Sequence, residues 1–311
     1  MTNTELPTLY QSFIHKSRYA RWLPDMGRRE TWNETTQRYM NFMFEHQCAG
    51  KIPQETQQIL YDSMFGLETM PSMRGVMSAG PALMAHNVAG FNCSYVAVDD
   101  LQAFDEMLYV LMCGTGVGYS VERQFVNKLP TVANKLRPSK TLIKVEDSKI
   151  GWANSLRELI SMLYQGRIPE WDVSAVRPSG SRLHTMGGRA SGPEPLLDLF
   201  NFLIRVFKTA QGRKLNSMEC HDICCKIGDI VVVGGVRRSA LISLSNPSDD
   251  RMRHAKDGQW WETSPWRALA NNSACYTEKP AMDTFMREWL ALYESKSGER
   301  GIFNREAAAK Q

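Results

Sequence analysis

The chain has 311 residues, 43% hydrophobic and 23% charged, with a formal net charge of +4. That length supports a buried core in one large or two ordinary domains, and the composition excludes wholesale disorder. A charge this small, with a pI of about 8.6, does not call for a polyanionic partner, so nucleic-acid binding ranks last among the functions considered.

The first residues, Met1 to Pro7, have neither the basic nor the apolar stretch of a signal peptide. Residues 1–68 read as an N-terminal helical region. Asn33 is a candidate N-cap for a helix through Tyr39, Phe42 and Met43, and Gln54 to Phe65 forms another that ends at Gly66. Residues 69–311 change pattern. Phe91 to Val98 is β-rich, Asp99 and Asp100 cap a helix carrying Leu101, Phe104, Leu108, Leu111 and Met112, and the glycines at 114, 116 and 118 stop it. Extended structure resumes at Tyr119, residues 131–150 read as basic and irregular, and Trp152 to Tyr164 is a helix closed by Gly166. The longest apolar run, Met107 to Cys113, falls far short of the ~20 residues that span a membrane.

A loop from Arg177 to Pro195 precedes an amphipathic helix with Leu196, Leu199, Phe200, Leu203 and Phe207 on one face. A helix from Ser217 feeds a strand over Ile230 to Val233, and a further extended run covers Ala240 to Ser245. Ala270 to Tyr276 reads as a strand, Met282 to Tyr293 as a helix, and Asn304 as the cap of a last helix. Alternating strands and helices predict an α/β domain, with a barrel as the favoured form.

Three glycine segments bear on function. A helix precedes Gly114-Thr115-Gly116-Val117-Gly118 and extended residues follow, the reverse of a dinucleotide fingerprint, which needs strand, loop, then helix. A dinucleotide site is therefore rejected, while a turn and the close approach of a flat ligand both stay open. The loop 187–192 opens a helix at Pro193, whose free N–H groups suit an anion. Arg237 and Arg238, in a loop after Gly234-Gly235, suit bidentate contact with phosphate or carboxylate.

Seven cysteines, an odd number without small-domain spacing, fit a reduced cytoplasmic setting in which any disulfide is catalytic. Cys220 and Cys224 are spaced to share a metal, but no second ligand pair has zinc-like spacing, so the expectation is core cysteines and no metal site. Cys93 lies in a predicted strand, where an inert core role is the ordinary one.

In this order, Tyr19 to Pro24, Pro71 to Arg74, Asn92-Cys93, Gly114 to Ser120, Arg177-Pro178 with Gly187 to Pro195, Asp222 to Cys224, Gly235 to Ala240, Asn271 to Ser273 and Gly298 to Ile302 resemble the catalytic subunit of ribonucleotide reductase. The adenosylcobalamin-dependent (class II) branch is the most similar. The resemblance implies part of a ten-stranded α/β barrel preceded by an N-terminal helical region. It also implies replacement of a ribonucleotide 2′-hydroxyl by hydrogen, through a cysteine thiyl radical and a reducing cysteine pair. Adenosylcobalamin would be the cofactor, a dNTP or ATP the allosteric effector, and thioredoxin or a similar dithiol the reductant.

By position, Cys93 resembles the first cysteine of the reducing pair. Ser72, Asn92, Gly116 and Asn272 would contact the substrate. Gly188 and Ser191 lie in one specificity loop and Arg237, Arg238 and Ser239 in the other, with Asp100 near the effector nucleoside. In relatives, Asn-Pro-Cys-(Ser/Gly)-Glu, which carries the radical cysteine, follows the Gly-Glu-Arg-Gly-Ile segment; this chain stops before it. The expectation is an N-terminal portion that exposes strand edges and apolar surface and needs a complementary C-terminal segment. The alternatives are a diiron-dependent (class I) large subunit and a non-catalytic nucleotide-binding regulatory fragment.

Overall fold

A computed structural model describes residues 6–183, 189–231 and 240–310, in two compact units, Met1–Asn92 and Cys93–Gln311. In the first unit, helix α1 spans Trp32–Phe42, α2 spans Gln54–Phe65 and α3 spans Met73–Ser78. The cap of α1 is Thr31 rather than Asn33: its hydroxyl accepts from the Glu34 N–H at 3.2 Å, and the Glu34 carboxylate accepts from the Thr31 N–H at 2.7 Å. A Thr with Glu three residues on satisfies two orphan donors, which a cap at Asn33 could not match. Glu30 and Arg38 pair at 2.7 Å, and Arg38 also donates to the carbonyl of Val76.

The second unit is built on a five-stranded parallel sheet. Its strands are β1 (Cys93–Ala97), β2 (Gly116–Ser120), β5 (Leu241–Ser245), β6 (Ala270–Tyr276) and β7 (Gly301–Asn304), side by side in that order. Parallel neighbours need crossovers: helix α4 (Gln102–Met112) joins β1 to β2, and α8 (Met282–Ser295) joins β6 to β7. Between β2 and β5 lie a separate two-stranded parallel sheet, β3 (Arg137–Lys144) with β4 (Arg167–Asp172), and helices α5 (Lys149–Tyr164), α6 (Glu194–Thr209) and α7 (Ser217–Ile230). A short α9 (Arg305–Ala309) follows β7, capped by Asn304.

The core lies between the sheet and these helices. Phe104, Leu108 and Leu111 of α4, Leu156 and Ile160 of α5, Leu199, Phe200 and Phe207 of α6, and Ile223 and Ile227 of α7 are all buried in it. Each such side chain stabilises the fold by ~1.5–3 kcal/mol relative to exposure. Cys220, Cys224 and Cys225 belong to this core, and burial pushes the Cys225 thiol up to about 12. No helix among the described residues is long and apolar enough to cross a membrane.

Two expectations are corrected. Residues 137–144 form a strand, because Ile143 packs inward between exposed Leu142 and Lys144. Ile230 ends α7 instead of opening a strand: Ile223, Ile227 and Ile230 keep helical spacing and are all buried. Residues 232–233 lie outside the described residues.

Candidate functional site

Side chains of a strand alternate between the two faces of a sheet, and register partners on neighbouring strands share a face. Tyr119 on β2 and Ser243 on β5 are register partners. Tyr119 Oη lies 2.8 Å and Ser243 Oγ 3.0 Å from Nδ1 of His221 on α7, so this face meets the helices. Burial holds the His221 imidazole down to about 3, so it is neutral, and its Nε2 lies 3.5 Å from Cys225 Sγ.

The opposite face is exposed in part. It carries Cys93 and Tyr95 on β1, Gly116 and Gly118 on β2, Ile242 on β5, and Asn271 and Ser273 on β6. Cys93, Tyr95, Ile242 and Asn271 are exposed there. Cys93 pairs in register with Gly116 and Tyr95 with Gly118, so the floor beside the thiol has no side chains. The backbone does not require glycine at 118: a Cβ there would stand 3.7 Å from the Ser94 carbonyl oxygen and 3.9 Å from Tyr95, ordinary contacts.

At the C-terminal rim of this face stands a polar cluster. The buried Glu122 carboxylate accepts from Ser120 Oγ at 2.7 Å, Gln124 Nε2 at 2.9 Å and the Arg305 guanidinium at 3.2 Å and closer. Burial alone would raise its pKa; the bonds from Arg305 and Ser120 overcome that and hold it below the ordinary carboxylate range. Burial, and then the charge of Glu122, push the Cys275 thiol up to about 11, so it stays protonated at neutral pH.

Of the residues expected at the site, Cys93 and Gly116 stand side by side on the open face. Asn272 is on the helix-facing side in register with Ser243; it is buried, its N–H donates to Glu299 at 3.1 Å, and its side-chain oxygen lacks a partner among the described residues. Its neighbour Asn271 occupies the open face. Ser72, in the first unit, caps α3 through a 3.5 Å bond from the Gly75 N–H, and Asn92 is exposed at the end of that unit. Asp100 is exposed and accepts from the Gln102 N–H at 2.8 Å. Ser191 donates to the Gly192 carbonyl at 3.2 Å. Gly188, Arg237, Arg238 and Ser239 lie outside the described residues. Tyr95, Glu122, Cys275 and Arg305 were not singled out from the sequence; counting in twos from Cys93 would have found Tyr95.

Two family models match the chain: the ribonucleotide reductase alpha domain over residues 2–81 and the insertion domain of B12-dependent ribonucleotide reductase over residues 120–207. The chain is 27% identical to an adenosylcobalamin-dependent ribonucleoside-triphosphate reductase of Lactobacillus helveticus, covering 93% of itself and 48% of that protein. It is 28% identical to the protein of the same name from Lactobacillus delbrueckii subsp. bulgaricus, over 93% of itself and 47% of the relative. Among solved structures, a B12-dependent (class II) ribonucleotide reductase matches with a TM-score of 0.81 at 24% identity, over 94% of this chain and 49% of that one. The chain thus spans about half the length of the relatives it matches. Over residues 2–81 and 120–207, and in its fold, the chain is similar to the N-terminal part of the B12-dependent (class II) ribonucleotide reductases.

Proposed function

We propose that the chain serves the reduction of ribonucleotides to 2′-deoxyribonucleotides in the cytoplasm, together with a complementary C-terminal segment, and that the ribose is held on the open face of the sheet. The observation that carries this reading is the exposed Cys93 thiol beside the side-chain-free floor of Gly116 and Gly118. In the reaction the 2′-hydroxyl leaves as water and the substrate gains two electrons. Cys93 supplies one of the two thiols that give up those electrons and close into a disulfide, which thioredoxin or a similar dithiol reopens.

Adenosylcobalamin, named in the relatives, supplies the initiating radical when bound. Ser72, Asn92 and Asn272 are assigned to the substrate's surroundings. Asp100, Gly188, Ser191, Arg237, Arg238 and Ser239 are assigned to a dNTP or ATP effector. The match of residues 120–207 to the B12-dependent insertion domain favours this branch over a diiron enzyme.

The test is reduction of CTP with adenosylcobalamin and a dithiol by this chain mixed with a polypeptide carrying Asn-Pro-Cys-x-Glu. Formation of dCTP that disappears with Cys93→Ser is expected. Undiminished turnover by the Cys93→Ser protein would overturn the role assigned to this thiol.

A further inference from the structure

The first residues of strand β6 are framed on one side by a pair of side chains instead of a strand. Successive residues of a strand turn their backbone groups to alternate sides, so those of residues 270 and 272 point the same way. Strand β7 pairs with β6 only from Gly301, opposite Ser273. Before that point, Lys256 Nζ donates to the Ala270 carbonyl at 2.6 Å, and the Glu299 carboxylate accepts from the Asn272 N–H at 3.1 Å. A donor to one residue and an acceptor for the residue two places on are what a neighbouring parallel strand supplies. The two side chains pair with each other at 2.7 Å and are largely shielded, 7% and 19% exposed. Lys256 Nζ also lies 5.3 Å from the centre of the Trp260 ring, which favours a cation there.

The residue bracketed by this frame is Asn271. It is exposed and in register with Ile242, so it stands on the face that carries Cys93, in one row with Tyr95 and Gly118. Three strand spacings separate β1 from β6, about 14 Å along the sheet. That is beyond a ribose held at Cys93 and within reach of the rest of a nucleotide. The described residues of β1, β2, β5 and β6 on this face are uncharged, whereas a triphosphate calls for cations. A neutral amide, which both donates and accepts, instead matches the edge of a nucleobase.

We propose that Asn271 hydrogen-bonds the nucleobase of the substrate, and that Lys256 and Glu299 are positioning residues that fix its strand. The inference rests on the functional reading above. It places the contact one residue before Asn272, whose backbone N–H belongs to the frame. It also gives a task to Glu299, the acidic residue of the Gly-Glu-Arg-Gly-Ile segment.

Cytosine presents an amino group where uracil presents a carbonyl. An asparagine amide can turn to meet either, while an aspartate only accepts. In this chain mixed with the Asn-Pro-Cys-x-Glu polypeptide, Asn271→Asp is therefore expected to raise the preference for CTP over UTP at least tenfold. The added charge repels both triphosphates alike and cancels in the ratio. The preference is read twice on each sample without added deoxynucleotide: as dissociation constants from equilibrium dialysis, and as KM for dCTP and dUTP formation. Asn271→Ala is expected to weaken both nucleotides at least fivefold, mostly in KM. Glu299→Gln should weaken them in the parent yet add nothing in the Asn271→Ala background. Both Asn271 substitutions change an exposed side chain, so the fold is kept. A preference unchanged or reversed by Asn271→Asp, or a parent mixture that binds neither nucleotide, would overturn the base contact. An additive effect of Glu299→Gln would overturn the positioning role. The two readings fail separately: dCTP formed with an unchanged preference sinks only the base contact. A shifted binding preference without dCTP sinks only the reaction.

Discussion

Cys93 and Gly116 are register partners on adjacent parallel strands, so the exposed thiol stands beside a residue with no side chain. The next pair along, Tyr95 and Gly118, repeats the arrangement. A small-residue strand next to a cysteine is costly for packing, because Gly in a strand interior weakens it. A substrate that occupies the open space would offset that cost with function.

Gly118→Val tests that directly. The added side chain meets only ordinary contacts at its Cβ, and valine suits a strand, so stability is expected to hold or rise by up to ~1 kcal/mol. CTP reduction by the reconstituted enzyme is expected to fall at least tenfold. Thermal melts and turnover on the same samples separate the two effects; full activity would show that the space is not needed.

The ion pair under α8 is a stability element. Arg300 and Glu288 are both buried, and Glu288→Gln leaves the guanidinium without its counter-charge. Breaking a buried pair by removing one partner costs ~3–5 kcal/mol. Urea unfolding should register that loss, whereas Glu306→Gln, at an exposed pair with Lys310, should stay within ~0.5 kcal/mol. Equal effects would deny the anchoring role of Glu288.

His221 makes stability depend on pH with a definite sign. Burial lowers its pKa to about 3 in the folded protein, while the unfolded chain titrates near the ordinary ~6.5. The unfolded state therefore binds a proton first as the solution is acidified. The stabilisation is whole above ~6.5 and is lost toward the folded value, at up to ~1.4 kcal/mol per pH unit. Comparing His221→Gln with the parent from pH 6 to pH 4 should show a slope shallower by about one proton. Parallel curves would mean that His221 is not held neutral.

Much of this architecture is readable in the sequence, and the failures have physical causes. Strand β6 and helix α2 match their expected bounds because apolar periodicity and a terminal glycine act locally. Strand β3 was hidden because it shows solvent mostly Lys, Arg and Pro and buries little besides Ile143. The existence of α8 was legible from its spacing, but the side it buries was not. That choice is made by Arg300 and Arg253, which the chain brings to Glu288 only through tertiary structure. The same holds for Asn271 and Asn272: composition makes them equivalent, and the strand's alternation assigns them to opposite faces.

Counting electrons probes the role of Cys93 at its root. The reconstituted enzyme is reduced, freed of dithiol, and supplied with CTP and adenosylcobalamin, and the dCTP formed is quantified per complex. Because a dithiol is a two-electron donor, about one dCTP per complex is expected through the Cys93 pair, and none from the Cys93→Ser protein. The same yield from both proteins would contradict a reducing role for Cys93.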